Sequence, residues 1–228
     1  MNHKKIAIVG ASGAVGRMML EVLSEKIWCD SNFHIELYAS SRSKGKRLSF
    51  RDESIEIFEY DAEQVARCDY ILMSAGSEFS KKEVPKLLQR GLTIIDNSSA
   101  WRMEPEVPLV VPEVNAYLLQ KEQKGQLIAN PNCVAAQLVV SLKPIIDRWG
   151  LKTLALSTYQ SVSGAGKDGM DELWDQTKAI YNPTDNRSTE KFTKQIAFNV
   201  IPHIDKFMDD GSTKEEWKMV VETKKIVD

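Results

Sequence analysis

The apolar run Ile6-Ala7-Ile8-Val9 feeds directly into Gly10-Ala11-Ser12-Gly13-Ala14-Val15-Gly16, and that junction constrains the fold of this chain more than any other stretch. A short apolar run stopped by glycine predicts a buried strand over 5–9. Apolar Val15, Met18, Met19, Val22 and Leu23 recur at helical spacing and predict a helix over 15–27. Strand, Gly-x-x-Gly-x-x-Gly and helix in that order form an arrangement that binds dinucleotides. The first glycine permits a tight turn, the second lets the backbone approach a pyrophosphate, and the third lets helix and strand pack closely. Backbone N–H groups at the helix start then face the negative charge. The same pattern also serves as a purely structural turn; its position between a clear strand and an amphipathic helix favours a ligand.

The alternation continues. Strands are expected over 34–39, 55–58, 69–74 and 92–96, the third entering the turn Ala75-Gly76. A helix is expected over 79–90, with Val84, Leu87 and Leu88 on one side and Pro85 in its first turns. Strands alternating with helices predict an α/β fold, a parallel sheet covered by helices. From about residue 130 the rhythm changes. A helix from Cys133 to Trp149 ends at Gly150. A strand over Thr153–Ser161, a helix over 169–180, a polar loop over Tyr181–Lys191 and a helix over 212–224 follow, and Lys225-Ile226-Val227-Asp228 reads as the start of a strand.

At the end of the second expected strand, an NAD-selective site usually carries an acidic residue for the ribose hydroxyl. This chain has Ala39-Ser40-Ser41-Arg42-Ser43 instead. Hydroxyls and a guanidinium suit a 2′-phosphate, so NADP is favoured over NAD, with an ordinary solvated loop as the alternative. The wider basic stretch from Arg42 to Arg51 is a candidate holder of a phosphorylated ligand.

Cys133 stands where loop becomes helix, after Pro131 and the good N-cap type Asn132. Partial positive charge at a helix start favours a thiolate, so Cys133 is a candidate nucleophile. Cys29 and Cys68 are read as small buried hydrophobes. Thiolate chemistry on an aldehyde needs donors for an oxyanion and a base. Gln160 is a candidate for orienting a carbonyl or water, and Gly164 and Gly166 for close approach to a nicotinamide; a strand-end amide and a turn are the alternatives.

Composition excludes several other classes. Thirty basic residues against 32 acidic ones give a net charge of −2, which argues against a nucleic-acid or anionic-membrane partner. No apolar run is long enough to cross a bilayer. Three widely spaced cysteines fit reduced thiols of a cytoplasm, and His3, His34 and His203 are too scattered for a zinc site, so no metal is expected.

Seven segments in order resemble the aspartate-β-semialdehyde dehydrogenase family over essentially the whole chain. They are Gly10 to Gly16, Asp96 to Arg102, Val111 to Asn115, Asn130 to Cys133, Gln160 to Gly166, Phe198 to His203 and Glu215 to Lys218. The resemblance implies a Rossmann-type NADP-binding domain over 1–131. It also implies an α+β catalytic and dimerisation domain over 132–228, incomplete at its C-terminal end. It implies NADP-dependent reductive dephosphorylation of β-aspartyl phosphate to aspartate semialdehyde, on the route to lysine, threonine and methionine. Cys133 matches the nucleophile and Gln160 the nearby glutamine. Arg102, with Asn132 and Lys218, matches the phosphate-binding group, and Glu215 the carboxylate that reads the substrate amine. Gly10, Ser12, Gly13, Ala14 and Val15 match the pyrophosphate loop, and Ser40 and Arg42 the 2′-phosphate contacts. Ser74, Ala75, Gly76, Ser163 and Gly164 match the ribose and nicotinamide side. From the residues alone, Arg102, Glu215 and Lys218 read rather as solvated charges on a loop or helix.

Family members run well past 300 residues, and their general-base histidine and substrate-clamping arginine are expected beyond residue 228. The expectation is therefore a truncated chain with impaired turnover. Two alternatives stay open: N-acetyl-γ-glutamyl-phosphate reductase, against which the Glu215-Glu216-Trp217-Lys218 segment argues, and a non-catalytic NADP-binding remnant. Small-molecule substrate, inorganic phosphate and a homodimer or homotetramer are the implied partners.

Overall fold

The computed structural model describes residues 4–25, 33–119, 125–182 and 189–227. Cys29 and His3 lie outside the described residues. Two compact units are present: residues 1–150 with 218–228, and residues 151–217.

The first unit is built on seven strands: β1 (Lys4–Val9), β2 (Phe33–Ala39), β3 (Arg47–Phe50), β4 (Glu53–Glu59), β5 (Tyr70–Met73), β6 (Thr93–Asp96) and β7 (Leu127–Ala129). Their order in the sheet is β3-β4-β2-β1-β5-β6-β7. Every pairing is parallel except β3 with β4. Chain order runs outward from β1 through β5, β6 and β7 on one side and through β2 and β4 on the other, with β3 added antiparallel at that edge. The sheet therefore has a switch point at the carboxyl end of β1, where open parallel sheets bind ligands. Both faces are covered. Ala7, Val9, Ile71, Met73 and Ile94 pack with Val84 and Leu87 of α3 (Ser77–Leu88). Ile8, Ile35, Leu37 and Ile57 pack with Leu20 of α1 (Ala14–Ser24). That two-sided burial is why β1 reads as an unbroken apolar run and not an alternating one. The expected Rossmann-type parallel sheet is present.

Several local expectations change in the folded chain. The face of α1 that meets the sheet is Gly16, Met19, Leu20 and Leu23, while Val15, Met18 and Val22 are exposed. The reason is steric: a Cβ at Gly16 would lie 2.4 Å from Gly10 O, so the glycine itself sets which side of the helix touches the loop. Pro85 falls in the interior of α3, because the helix already begins at Ser77. Strands β3 and β7 have no counterpart in the sequence reading. β3 carries Arg47 and Ser49 and returns along β4 through a turn in which Arg51 has φ of +53°. β7 has three residues. The basic stretch is largely consumed by this hairpin: Lys44 pairs with Glu59, Arg47 with Glu56 and Ser54, and Arg51 stacks on Phe33 and Phe50.

After β6 the chain passes a short helix α4 (Pro112–Asn115) and β7, then enters α5 (Cys133–Trp149). A small helix α2 (Ala62–Val65) links β4 to β5. A third cluster joins Leu109, Val111, Val114, Ala129, Ala135 and Val139 to Ile226 near the chain end. Ile226 lies on α7 (Lys214–Val227), which continues as helix through the residues expected to begin a strand. Burial of Ile226 and the bond from Asn115 Nδ2 to Ile226 O decide this; tertiary packing overrides the local preference of two β-branched residues.

The second unit holds α6 (Gly166–Tyr181) and the first turn of α7. Glu172 of α6 is buried and accepts from the backbone N–H groups of Glu190, Lys191 and Phe192. Gln176 accepts from those of Ile196 and Ala197. Two side chains thus satisfy the backbone of a loop with no ladder of its own. The expected strand Thr153–Ser161 is not formed up to Gln160, and Ser161 instead caps a short 3-10 turn. No described residue supplies that stretch with the paired backbone partners a strand requires.

Candidate active site

Gly10 opens the loop after β1 with φ of +91°, and a Cβ there would lie 2.5 Å from Ser74 O at the end of β5. Only glycine fits such a position. The N–H groups of Gly10 and Ala11 donate to Tyr38 O, which ties the loop to the end of β2. Gly13 is the N-cap of α1 and makes no side-chain capping bond. A Cβ on Gly13 would meet only Gly10 O, at 3.4 Å. The helix start is therefore an uncapped cradle of backbone donors, which fits a dinucleotide pyrophosphate. Ser12 is half-buried, Ala14 and Val15 are exposed, and Arg17 Nε donates to Ser12 O.

Beside this loop, Ser40 is the N-cap of a short 3-10 turn, Ser41–Ser43, at the carboxyl end of β2. Ser40 and Arg42 are exposed and Ser43 is buried. Ser74, Ala75 and Gly76 lie between β5 and α3, with Gly76 as the N-cap of that helix. The three expected cofactor segments of this unit thus cluster at the carboxyl ends of β1, β2 and β5.

Cys133 occupies the first position of α5, just past the carboxyl end of β7, and is exposed. Asn132 Oδ1 accepts from Val134 N at 2.9 Å, the N-cap bond expected from the sequence, and Gly150 ends the helix with φ of +72°. Cys133 Sγ lies 3.9 Å from Asn132 Oδ1. Cys68 contrasts fully. It is buried, its sulfur donates to Glu36 Oε2 at 3.6 Å, and burial with the Glu36 charge pushes its thiol up to about 12.

The loop after β6 brings Arg102 to the same region. Asp96, fully buried, accepts from Ser80 Oγ and from the N–H and hydroxyl of Ser98, and Trp101 Nε1 donates to Ser80 Oγ. Asn130 Nδ2 donates to Asn97 Oδ1, joining the loops after β6 and β7. Arg102 is 9 % exposed. Nε donates to Asn130 O at 2.9 Å, Nη2 to Asn97 O at 3.1 Å, and Nη1 to Glu222 Oε1 at 3.2 Å. It is not a solvated charge. Three of its five N–H donors are held by described residues of the protein.

In the second unit, Glu215 is buried at the second position of α7, and Gln160 Nε2 donates to its Oε1 at 3.3 Å. Thr213 and Glu216 form a reciprocal capping box at the start of α7. Hydrogen bonds from the Thr213 backbone and hydroxyl hold the Glu216 carboxyl below its usual range. Ser163 and Gly164 are exposed in the short turn Val162–Ala165. Lys218 follows on α7, half-buried, and is grouped with the first unit.

Comparison with known proteins agrees with this geometry. Residues 5–122 match the semialdehyde dehydrogenase NAD-binding domain, and residues 142–228 match the semialdehyde dehydrogenase dimerisation domain. The aspartate-semialdehyde dehydrogenase of Aquifex aeolicus is 48 % identical over 227 residues, 98 % of this chain and 65 % of the relative. The chain belongs to the aspartate-semialdehyde dehydrogenase family. It spans 65 % of the length of that relative. The crystal structure of aspartate-semialdehyde dehydrogenase II from Vibrio cholerae complexed with ASA superposes with a TM-score of 0.91. It is 44 % identical, and the match covers 100 % of this chain and 67 % of that one. The Candida albicans enzyme, solved with NADP, matches with a TM-score of 0.53 and 28 % identity, over 66 % of this chain and 48 % of its own.

Set within the family, the residues that sequence reasoning missed are the ones that hold others in place. Glu222 binds Arg102, and Lys225 Nζ donates to the carbonyls of Arg102, Glu104 and Val107. Burial lowers the Lys225 ammonium below the ordinary lysine value. Glu222 falls in the expected helix over 212–224 and Lys225 in the residues expected to begin a strand, and neither position carries a sequence signal of its partner. Among the described residues no cluster of His, Cys, Asp and Glu suits a metal, and no helix is long and apolar enough to cross a membrane.

Proposed function

We propose that this chain carries the NADP-dependent reductive dephosphorylation of β-aspartyl phosphate to aspartate semialdehyde. The observation that supports it most is the joint placement of two features on one sheet. The uncapped glycine cradle after β1 and the exposed Cys133 after β7 both lie at the carboxyl edge of parallel strands.

In this reading Cys133 attacks the acyl carbon of the substrate, a carbon–sulfur bond forms, and inorganic phosphate leaves with the electrons of the broken carbon–oxygen bond. NADPH, when bound, supplies a hydride to the thioester carbon; the carbon–sulfur bond then breaks, the sulfur of Cys133 leaves with its electron pair, and the acyl group departs at the aldehyde level. The chain's own work is binding and orientation. Arg102, with Asn132 and Lys218, receives the phosphate; a guanidinium is well suited to it. Gln160 orients the substrate carbonyl, and Glu215 reads the substrate amine. Gly10, Ser12, Gly13, Ala14 and Val15 hold the pyrophosphate, Ser40 and Arg42 the 2′-phosphate. Ser74, Ala75, Gly76, Ser163 and Gly164 line the ribose and nicotinamide side. Residues 1–131 serve the cofactor, and 132–228 serve catalysis and self-association as a homodimer or homotetramer in the cytoplasm.

The test is phosphate-dependent formation of NADPH from NADP and aspartate semialdehyde. Activity with the semialdehyde and none with the N-acetylated glutamate analogue supports the proposal. NADP binding and fast Cys133 alkylation without turnover supports a binding remnant instead, and absence of both overturns the site.

A further inference from the structure

Glu222 is only 2 % exposed, and its two oxygens do separate work. Oε1 accepts from Arg102 Nη1 at 3.2 Å, on the loop after β6. Oε2 accepts from the backbone N–H of Asn132 at 2.6 Å, the residue that caps the Cys133 helix. One carboxylate therefore joins the expected anion ligand to the expected nucleophile's helix start. A buried ion pair is costly to desolvate, and well-packed apolar side chains often serve stability equally well. What an apolar pair cannot supply is orientation. Arg102 is fixed at two corners by the carbonyls of Asn130 and Asn97, and Glu222 fixes the third. One turn further along α7, Lys225 holds the backbone carbonyl of Arg102 itself at 2.8 Å.

We propose that Glu222 is a positioning residue of the active site, setting the Arg102 guanidinium and the start of the Cys133 helix relative to one another. The inference rests on the reading of Arg102 as a phosphate ligand. Its test is alkylation by iodoacetamide, read at the Cys133 peptide of the full chain, across a series of inorganic phosphate concentrations. Thermal unfolding of each protein is measured in parallel.

Phosphate is expected to protect Cys133 in the unaltered protein. Glu222→Gln keeps the side-chain shape but offers one acceptor to two donors. It is expected to raise the phosphate concentration for half-protection about tenfold or more, the scale on which outer-shell partners act. Glu222→Asp retains the charge but is one methylene too short to reach both donors, and is expected to fall between the two. A residue that only stabilised the fold would move the unfolding temperature and leave half-protection in place. Half-protection within about twofold of the unaltered protein in the variants that fold, well under that outer-shell scale, overturns the inference; if Glu222→Gln does not fold, Glu222→Asp decides by the same criterion. Absence of protection in the unaltered protein overturns the Arg102 reading as well, which separates the two failures.

Discussion

Two turns at the carboxyl edge of the same sheet perform the same local task and end in opposite chemistry. The turn after β1 and the turn after β7 each carry the chain from a parallel strand into a helix, α1 or α5. The first is capped by Gly13 with no side-chain bond, so its backbone donors face outward uncommitted by any side chain. The second is filled in part by side chains: Asn132 caps Val134, Glu222 takes the Asn132 N–H, and the Asn130 N–H goes to Asp96 O. A helix start without a capping side chain leaves its donors for a ligand, whereas one capped by a side chain has part of its donors satisfied within the protein. Here the uncapped start is the one at Gly13, and the capped one carries the exposed Cys133.

The largest effect expected from breaking this contrast is on the filled turn. If Cys133 is the nucleophile proposed above, Cys133→Ser should lower turnover by on the order of 10³-fold or more, measured as phosphate-dependent NADPH formation. Turnover within tenfold of the unaltered protein would remove Cys133 from the chemistry.

On the open turn, Gly10→Ala should destabilise the fold by more than about 2 kcal/mol, since positive φ and a backbone clash act together. Gly16→Ala, where the obstacle is Gly10 O at 2.4 Å, should behave alike. Gly13→Ala should cost less than about 1 kcal/mol, as its φ of −75° suits any residue, yet weaken NADP binding. Urea unfolding and NADP titration of the three variants check that order, and equal stability losses at Gly10 and Gly13 would refute it. Asn132→Ala should cost about 1 kcal/mol through loss of the cap, with Asn132→Asp close to neutral.

The smallest effect at neutral pH concerns the buried counterpart of Cys133. Below pH about 9, the ordinary thiol value, Cys68 is protonated in folded and unfolded chains alike and contributes no pH dependence. Between there and about 12 the unfolded chain gives up the proton while the folded chain keeps it. Stability should therefore fall as pH rises through that window, by no more than about 1.4 kcal/mol per pH unit for this group. Tyr38, whose hydroxyl is also raised by burial and by its bond to Glu36, adds a loss of the same sign at higher pH. Unfolding midpoints from pH 8 to 11 should decline less steeply in Cys68→Ala; identical slopes would contradict the assignment.

Much of this contrast is legible before any folding is considered. The start and end of α5 follow from Asn132 and Gly150, the cradle from three glycines behind an apolar run, and the parallel sheet from the alternation of periods. The misses share a cause. β3 and β7 are short edge strands whose partners, not their residues, make them strands, and Thr153–Gln160 is a strand-like sequence to which no described residue offers a partner. The sheet-facing side of α1 is not legible in apolar spacing, which cannot register a glycine in contact with a carbonyl. Ser40 and Arg42 stand at the end of β2 as expected, whereas Arg102, which by its residue type and position reads as a solvated charge, is buried with three bonds to protein.

Local backbone chemistry is what the chain dictates on its own account: where φ must be positive, where a cap ends an orphaned N–H, which runs are apolar enough to lie inside a sheet. These depend on residues within a few positions of one another, and so they can be read in order. Tertiary structure alone decided that Glu222, 120 residues from Arg102 and 90 from Asn132, would hold both. A charge in a helix end carries no sign of its partner; only the packing of Ile226 into the third core cluster draws that helix against the loops and turns a surface-like carboxylate into a buried one.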